Sequence, residues 1–144
     1  MKAINHRLST ASFVVMIGGS WLEVLYCFLF GSIPDQIERI GSKRVIAHRG
    51  LSHDIGLWAS LILFVKLFPF SPPFLISFGS PHLNEIFLFR TWMLFFPGLL
   101  HSLQDLLTPK GVPFLGLRVS LPIFQHGVWK EYLFSWGLVF TALT

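Results

Sequence analysis

The chain has 144 residues, which is enough for one domain and too few for two domains of ordinary size. Its residues are 53% hydrophobic and only 12% charged, whereas a water-soluble domain usually carries about a quarter charged residues. This composition argues against an ordinary soluble globule and predicts a single membrane-embedded domain over residues 1–144. The formal charge of +4 does not indicate nucleic-acid binding, because the basic residues lie in loops between apolar runs.

Four apolar runs follow one another along the chain. The first, Ala11 to Phe30, is interrupted by Gly18-Gly19-Ser20, which leaves two alternatives: one spanning helix, or a hairpin of two short helices. The later runs extend over Leu51–Phe70, Glu85–Leu107 and Val128–Leu143. Together they predict an all-α, polytopic membrane bundle of four to five helices, in which the first two helices form a short hairpin.

Lysines and arginines are unevenly distributed between the loops. If the first run is a hairpin, only Lys66 and Arg90 of the eleven basic residues fall on one side of the predicted membrane, which leaves nine on the other. Cytoplasmic loops carry the excess of basic residues in membrane proteins. The bias therefore predicts a multi-pass inner-membrane protein with its basic side in the cytoplasm.

Histidines and acidic residues gather near the helix ends at that same side. His101 and Asp105 are four residues apart, so they share one helix face and can bind one divalent ion together. Mixed imidazole and carboxylate ligands suit zinc. Glu131 is expected to be a further ligand or the base that orients the attacking water. The predicted metal ligands are His6, Asp35, His48, His53, His101 and Asp105.

Several short stretches, in chain order, carry a resemblance to a known family. They are Asn5-His6, Ser32-Ile33-Pro34-Asp35, His48-Arg49-Gly50-Leu51-Ser52-His53, His101-Ser102-Leu103-Gln104-Asp105 followed by Thr108-Pro109-Lys110-Gly111-Val112, and Gly127 to Glu131. With these motifs the chain resembles the YdjM-type family of membrane-bound, metal-dependent hydrolases, which are distantly similar to zinc-dependent phospholipase C and nuclease P1-type phosphoesterases. The chain departs from the family pattern Asp-x-Asp, because Ile37 stands where the pattern has its second Asp, and Glu38 follows it.

The resemblance implies a hydrolase that uses one to three zinc ions to cleave an ester or phosphoester bond. Its implied partners are membrane lipid and a lipid-linked or phosphoester substrate at the cytoplasmic face. Arg49 is expected either to hold a substrate phosphate or to pair with a nearby acid. The alternative is a non-enzymatic membrane assembly or scaffold protein with a degenerate or structural metal site, which the missing second Asp favours.

Overall fold

A computed structural model describes residues 3–40, 43–44, 49–68, 74–75, 88–123 and 129–144. Within these residues there are six α-helices: α1 Ala3–Met16, α2 Trp21–Phe30, α3 Ile33–Ile37, α4 Ile55–Leu67, α5 Phe96–Leu106 and α6 Trp129–Leu143. Two short 3-10 helices, Leu51–His53 and Thr91–Leu94, lie just before α4 and α5. Most of the described chain is therefore helical.

The described residues also form three antiparallel strand pairs. These pair β1 Arg39–Ile40 with β2 Lys43–Arg44, β3 Phe74–Leu75 with β4 Leu88–Phe89, and β5 Val112–Phe114 with β6 Leu117–Val119. In the last pair the turn residues Leu115 and Gly116 have φ values of 49° and 84°. Two positive φ values are the requirement of a tight type I′ hairpin turn. The prediction of an all-α fold is therefore wrong. Short extended segments pair with one another, and one of them, β4, lies inside the run Glu85–Leu107 that was expected to be helical.

The first apolar run forms two helices rather than one. Gly18 has a φ of 69° and follows the end of α1. Ser20 then caps α2, because its hydroxyl accepts from the Glu23 amide at 3.2 Å while its own amide donates to the Glu23 carboxylate at 3.1 Å. At the far end of α2, a side-chain carbon at Gly31 would lie 2.9 Å from the Cα of Arg7. The two helices are thus antiparallel, as the hairpin alternative predicted.

No helix in the described part of the chain is long and apolar enough to cross a membrane. The longest, α6, has 15 residues, whereas a spanning helix needs about 20. Local signals shorten the other apolar runs: Asp54 caps α4, and Pro97 lies in the first turn of α5. The prediction of a polytopic inner-membrane bundle with transmembrane helices and a cytoplasmic face is therefore wrong.

Polar side chains occupy much of the described interior. The buried apolar cluster contains only Val14, Cys27 and Met93, with partly buried neighbours around it. The buried acid Glu23 is paired with Arg90, whose Nε and Nη2 each lie 2.8 Å from a carboxylate oxygen. The helices therefore pack around polar contacts as much as around an apolar core.

Replacing Gly31 with alanine is expected to lower the free energy of unfolding by about 1–3 kcal/mol, the usual cost of overpacking. The added carbon would lie 2.8 Å from the Cys27 carbonyl oxygen and 2.9 Å from Arg7 Cα, and neither backbone atom can rotate away. Urea denaturation measures the change. Gly137→Ala in α6 is the control, because nothing lies within 4 Å of its added carbon and alanine favours a helix. Equal stability of the two variants would contradict the close approach of α1 and α2.

Candidate metal centre

Three histidines and two aspartates from four elements meet in the interior. They are His6 on α1, Asp35 on α3, His53 at the end of the first 3-10 helix, and His101 and Asp105 on α5. All are at most 2% exposed except Asp35, whose side chain is 34% exposed. Two sets of three lie with their ligand atoms within 4.8 Å of one another, and both sets include His101. These buried groups could hold a metal ion.

Asp105 lies between the three imidazole rings. Its Oδ1 is 3.4 Å from His6 Nε2, and its Oδ2 is 3.5 Å from His53 Nε2 and 3.9 Å from His101 Nε2. Asp35 contacts the same atoms, at 3.5 Å from His53 Nε2 and 3.8 Å from His101 Nε2.

These distances between nitrogen and oxygen fit ligands that share an ion. They are longer than the roughly 2.9–3.0 Å typical of an N–H···O hydrogen bond. Two ligands of a tetrahedral zinc ion with bonds of about 2.0–2.1 Å lie roughly 3.4 Å apart. Among the described residues, moreover, the buried Nε2 of His101 has no hydrogen-bond partner. The donor set therefore fits a divalent metal.

Each of the three imidazole rings has an oxygen atom beside its Nδ1. The partners are Gln104 Oε1 at 2.8 Å for His6, Glu38 Oε1 at 2.9 Å for His53, and the Gly31 carbonyl oxygen at 2.9 Å for His101. Because carbonyl and carboxylate oxygens accept hydrogen bonds, the proton of each ring belongs on Nδ1. Each Nε2 then keeps the lone pair that binds a metal, and all three Nε2 atoms face Asp105.

Arg49 is buried beside the centre. Its Nε lies 3.1 Å from Asp105 Oδ2, and its Nη1 donates to Thr108 Oγ1 at 2.7 Å and to the Gly111 carbonyl at 3.3 Å. Its φ of 58° is a left-handed conformation that is uncommon outside glycine, and its amide donates to Glu38 at 2.9 Å. The guanidinium thus bonds to the protein and orients Asp105, while a role in binding substrate phosphate stays a prediction.

Glu38 is the part of the centre that the sequence indicated least. It is fully buried, and its Oε1 accepts from the Ser52 hydroxyl at 2.8 Å in addition to its contact with His53. Its neighbour Ile37 is 47% exposed. The only signal for Glu38 in the sequence was its position next to the replaced Asp. Asp54, which follows His53, caps α4 instead, because its carboxylate accepts from the Leu57 amide at 3.1 Å.

Two predicted residues cannot be placed in the centre. His48 lies outside the described residues, and for Glu131 the structure gives only a position in α6. Their roles as ligand, and as ligand or base, therefore stay predictions.

The centre shifts the pKa values of its own members. Burial lowers the pKa of His101 to about 3, with the charge of His6 acting in the same direction. Burial raises the pKa of Asp35, but its contact with His53 and the charge of His101 outweigh burial and bring the pKa down to about 2. Burial likewise raises the pKa of Asp105, and His6 outweighs it, so the pKa falls well below its usual value. The carboxylates are therefore charged and His101 is neutral near pH 7, the forms that bind metal.

The metal-free protein is expected to lose stability as the pH falls from 7 to 5. The pKa of His101 is about 3 in the fold and 6.5 in its ordinary state, so the unfolded chain binds more protons between these values. The free energy of unfolding should then fall by up to about 1.4 kcal/mol per pH unit. Urea denaturation at several pH values measures this slope. His101→Gln lacks the titrating ring, so its free energy of unfolding should change less with pH. A parent protein that is equally stable at pH 7 and pH 5 would contradict the burial of a neutral His101.

Comparisons with known proteins do not assign the chain to a family. No protein-family model, curated protein or solved structure matches it. The resemblance to the YdjM-type hydrolases therefore stays a prediction from the motifs of the sequence.

Proposed function

We propose that the protein is a zinc-dependent hydrolase of an ester or phosphoester bond. The observation that carries the proposal is the common direction of three imidazole Nε2 atoms toward two carboxylates, at distances of 3.4–3.9 Å. A bound zinc ion would polarise the ester or phosphoryl oxygen and lower the pKa of a water molecule. Three of these groups at a time would hold the ion, either His6, His101 and Asp105 or Asp35, His53 and His101, and Arg49 would keep Asp105 in place.

The exposure of Asp35 supports catalysis over a purely structural ion. Structural zinc sites are closed by four protein ligands, whereas catalytic sites keep one position open. Asp35 is 34% exposed, contacts the centre and also lines a cavity. A small molecule in that cavity would therefore reach the centre from the side of Asp35. This open side favours a hydrolase over the scaffold alternative.

The charges around the centre support one ion. Among the described residues in direct contact with the three histidines and Asp105, there are three carboxylates (Asp35, Glu38 and Asp105) and one guanidinium (Arg49), so the balance is three minus one, or two negative charges. One divalent ion bound by neutral imidazoles neutralises this charge. A second ion would leave positive charge uncompensated in a buried site, which is costly.

The purified protein is expected to bind about one equivalent of zinc, and His101→Ala or Asp105→Ala should abolish that binding, because each removes a buried ligand. Elemental mass spectrometry gives the stoichiometry, and hydrolysis of p-nitrophenyl acetate and p-nitrophenyl phosphate gives the activity. Asp54→Asn is the control, since asparagine caps a helix as well as aspartate does and Asp54 lies outside the ligand set. Full zinc content in both alanine variants would contradict the proposal.

Glu38→Gln is expected to weaken zinc binding about tenfold without changing the stoichiometry at saturation. The carboxylate at His53 Nδ1 raises the basicity of the ring, and loss of such a partner typically costs 10–100-fold in affinity. Competition with a chromophoric chelator measures the dissociation constant. Glu23→Gln is the matched control, because Glu23 is equally buried but pairs with Arg90. An unchanged zinc affinity in Glu38→Gln, with both variants folded, would argue against the positioning role.

A further inference from the structure

A cavity of about 370 Å³ opens beside the candidate metal centre. Its lining residues are Ala3, Arg7, Ser32, Asp35, Gln36 and Arg39. At about 30 Å³ per water molecule the space holds roughly twelve waters, so it admits a group much larger than one water. Asp35 lines the cavity and also lies 3.5 Å from His53 Nε2 and 3.8 Å from His101 Nε2. The cavity therefore borders the candidate metal centre at Asp35.

Two arginines give this cavity a positive charge. Arg7 is half-buried on α1, and Arg39 is exposed at the start of β1. Asp35 is the acidic residue of the lining, and a metal ion bound to its carboxylate would neutralise it. The two guanidinium charges then remain, and a concave surface with one sign of charge attracts ligands of the opposite sign.

The buried hydroxyl of Ser32 holds two of the lining side chains in place. It accepts from Arg7 Nε at 3.2 Å and from Gln36 Nε2 at 3.0 Å. Within the described residues, the terminal nitrogens of Arg7 make no hydrogen bond, so they are donors for a ligand. A guanidinium presents its N–H groups in a planar fork that matches two phosphate oxygens.

We propose that this cavity binds the phosphate group of the substrate through Arg7 and Arg39, and that the substrate is a phosphate monoester. The identity of the substrate rests on the proposed hydrolase function. In the reaction, a water oxygen bonds to phosphorus and the ester P–O bond breaks, with its electron pair on the alcohol oxygen. One water proton goes to that alcohol, and the other stays on inorganic phosphate. A neutral ester would offer the two guanidinium groups no charge to bind and a phosphodiester only one, whereas the two negative charges of a phosphate monoester match both.

Isothermal titration of the zinc-loaded protein with inorganic phosphate tests the proposal. Arg7→Gln and Arg39→Gln are each expected to weaken phosphate binding about tenfold or more, since hydrogen bonds between charged groups are strong. Both should keep the zinc of the parent. Lys43→Gln is the matched control, because it removes an exposed cation from the β1–β2 hairpin outside the cavity lining and should leave the affinity unchanged. Arg7→Lys keeps the charge without the planar fork and should fall between the parent and Arg7→Gln.

Phosphate affinity equal to that of the parent in zinc-loaded Arg7→Gln and Arg39→Gln would overturn the proposal, and so would acetate binding as tightly as phosphate. The same measurements distinguish failure of the phosphate site from failure of the proposed hydrolase function. Cleavage of p-nitrophenyl acetate without any phosphate binding would keep the hydrolase and overturn the phosphate site. Arginine-dependent phosphate binding without cleavage of either p-nitrophenyl ester would support the phosphate site and remove the hydrolase.

Discussion

The buried carboxylate of Asp105 is the constraint on which the packing of this protein depends. A charge that is removed from water costs several kcal/mol unless partners surround it. Here the partners are His6, His53, His101 and the Arg49 guanidinium, and three of these four lie outside α5. Removing one element would leave a buried charge without its partner. The polar centre therefore fixes how α1, α5 and the 3-10 helix before α4 sit against one another.

The oxygen atoms beside the three histidine Nδ1 atoms fix the orientation of the imidazole rings in this polar cluster. Gln104, Glu38 and the Gly31 carbonyl each hold one Nδ1 at 2.8–2.9 Å, so none of the three rings can rotate without losing a hydrogen bond. Rings fixed in this way present their Nε2 atoms before any ion arrives. Such preorganisation lowers the cost of ordering the ligands when they bind.

The sequence predicted local features of this site but could not supply its distant partners. His101 and Asp105 are one helical turn apart, and the Gly18-Gly19 break indicated the α1–α2 hairpin, so spacing alone was informative. Gln104 reaches His6 across 98 residues, and the Gly31 carbonyl reaches His101 across 70, and no local pattern contains such contacts. The membrane prediction was wrong for a different reason. It rested on apolar composition, which counts residues, and not on local signals such as the Asp54 cap of α4 and Pro97 in the first turn of α5.

The burial of Glu38 explains how the centre gains a third carboxylate. Ile37 is 47% exposed whereas Glu38 is fully buried, so a carboxylate at 37 would face outward at this turn while one at 38 faces His53. Glu38 therefore gives the centre a carboxylate behind an imidazole, beside Nδ1 of His53. Asp35 and Asp105 are the carboxylates that face the histidine Nε2 atoms, and their two negative charges would match the two positive charges of a single divalent ion.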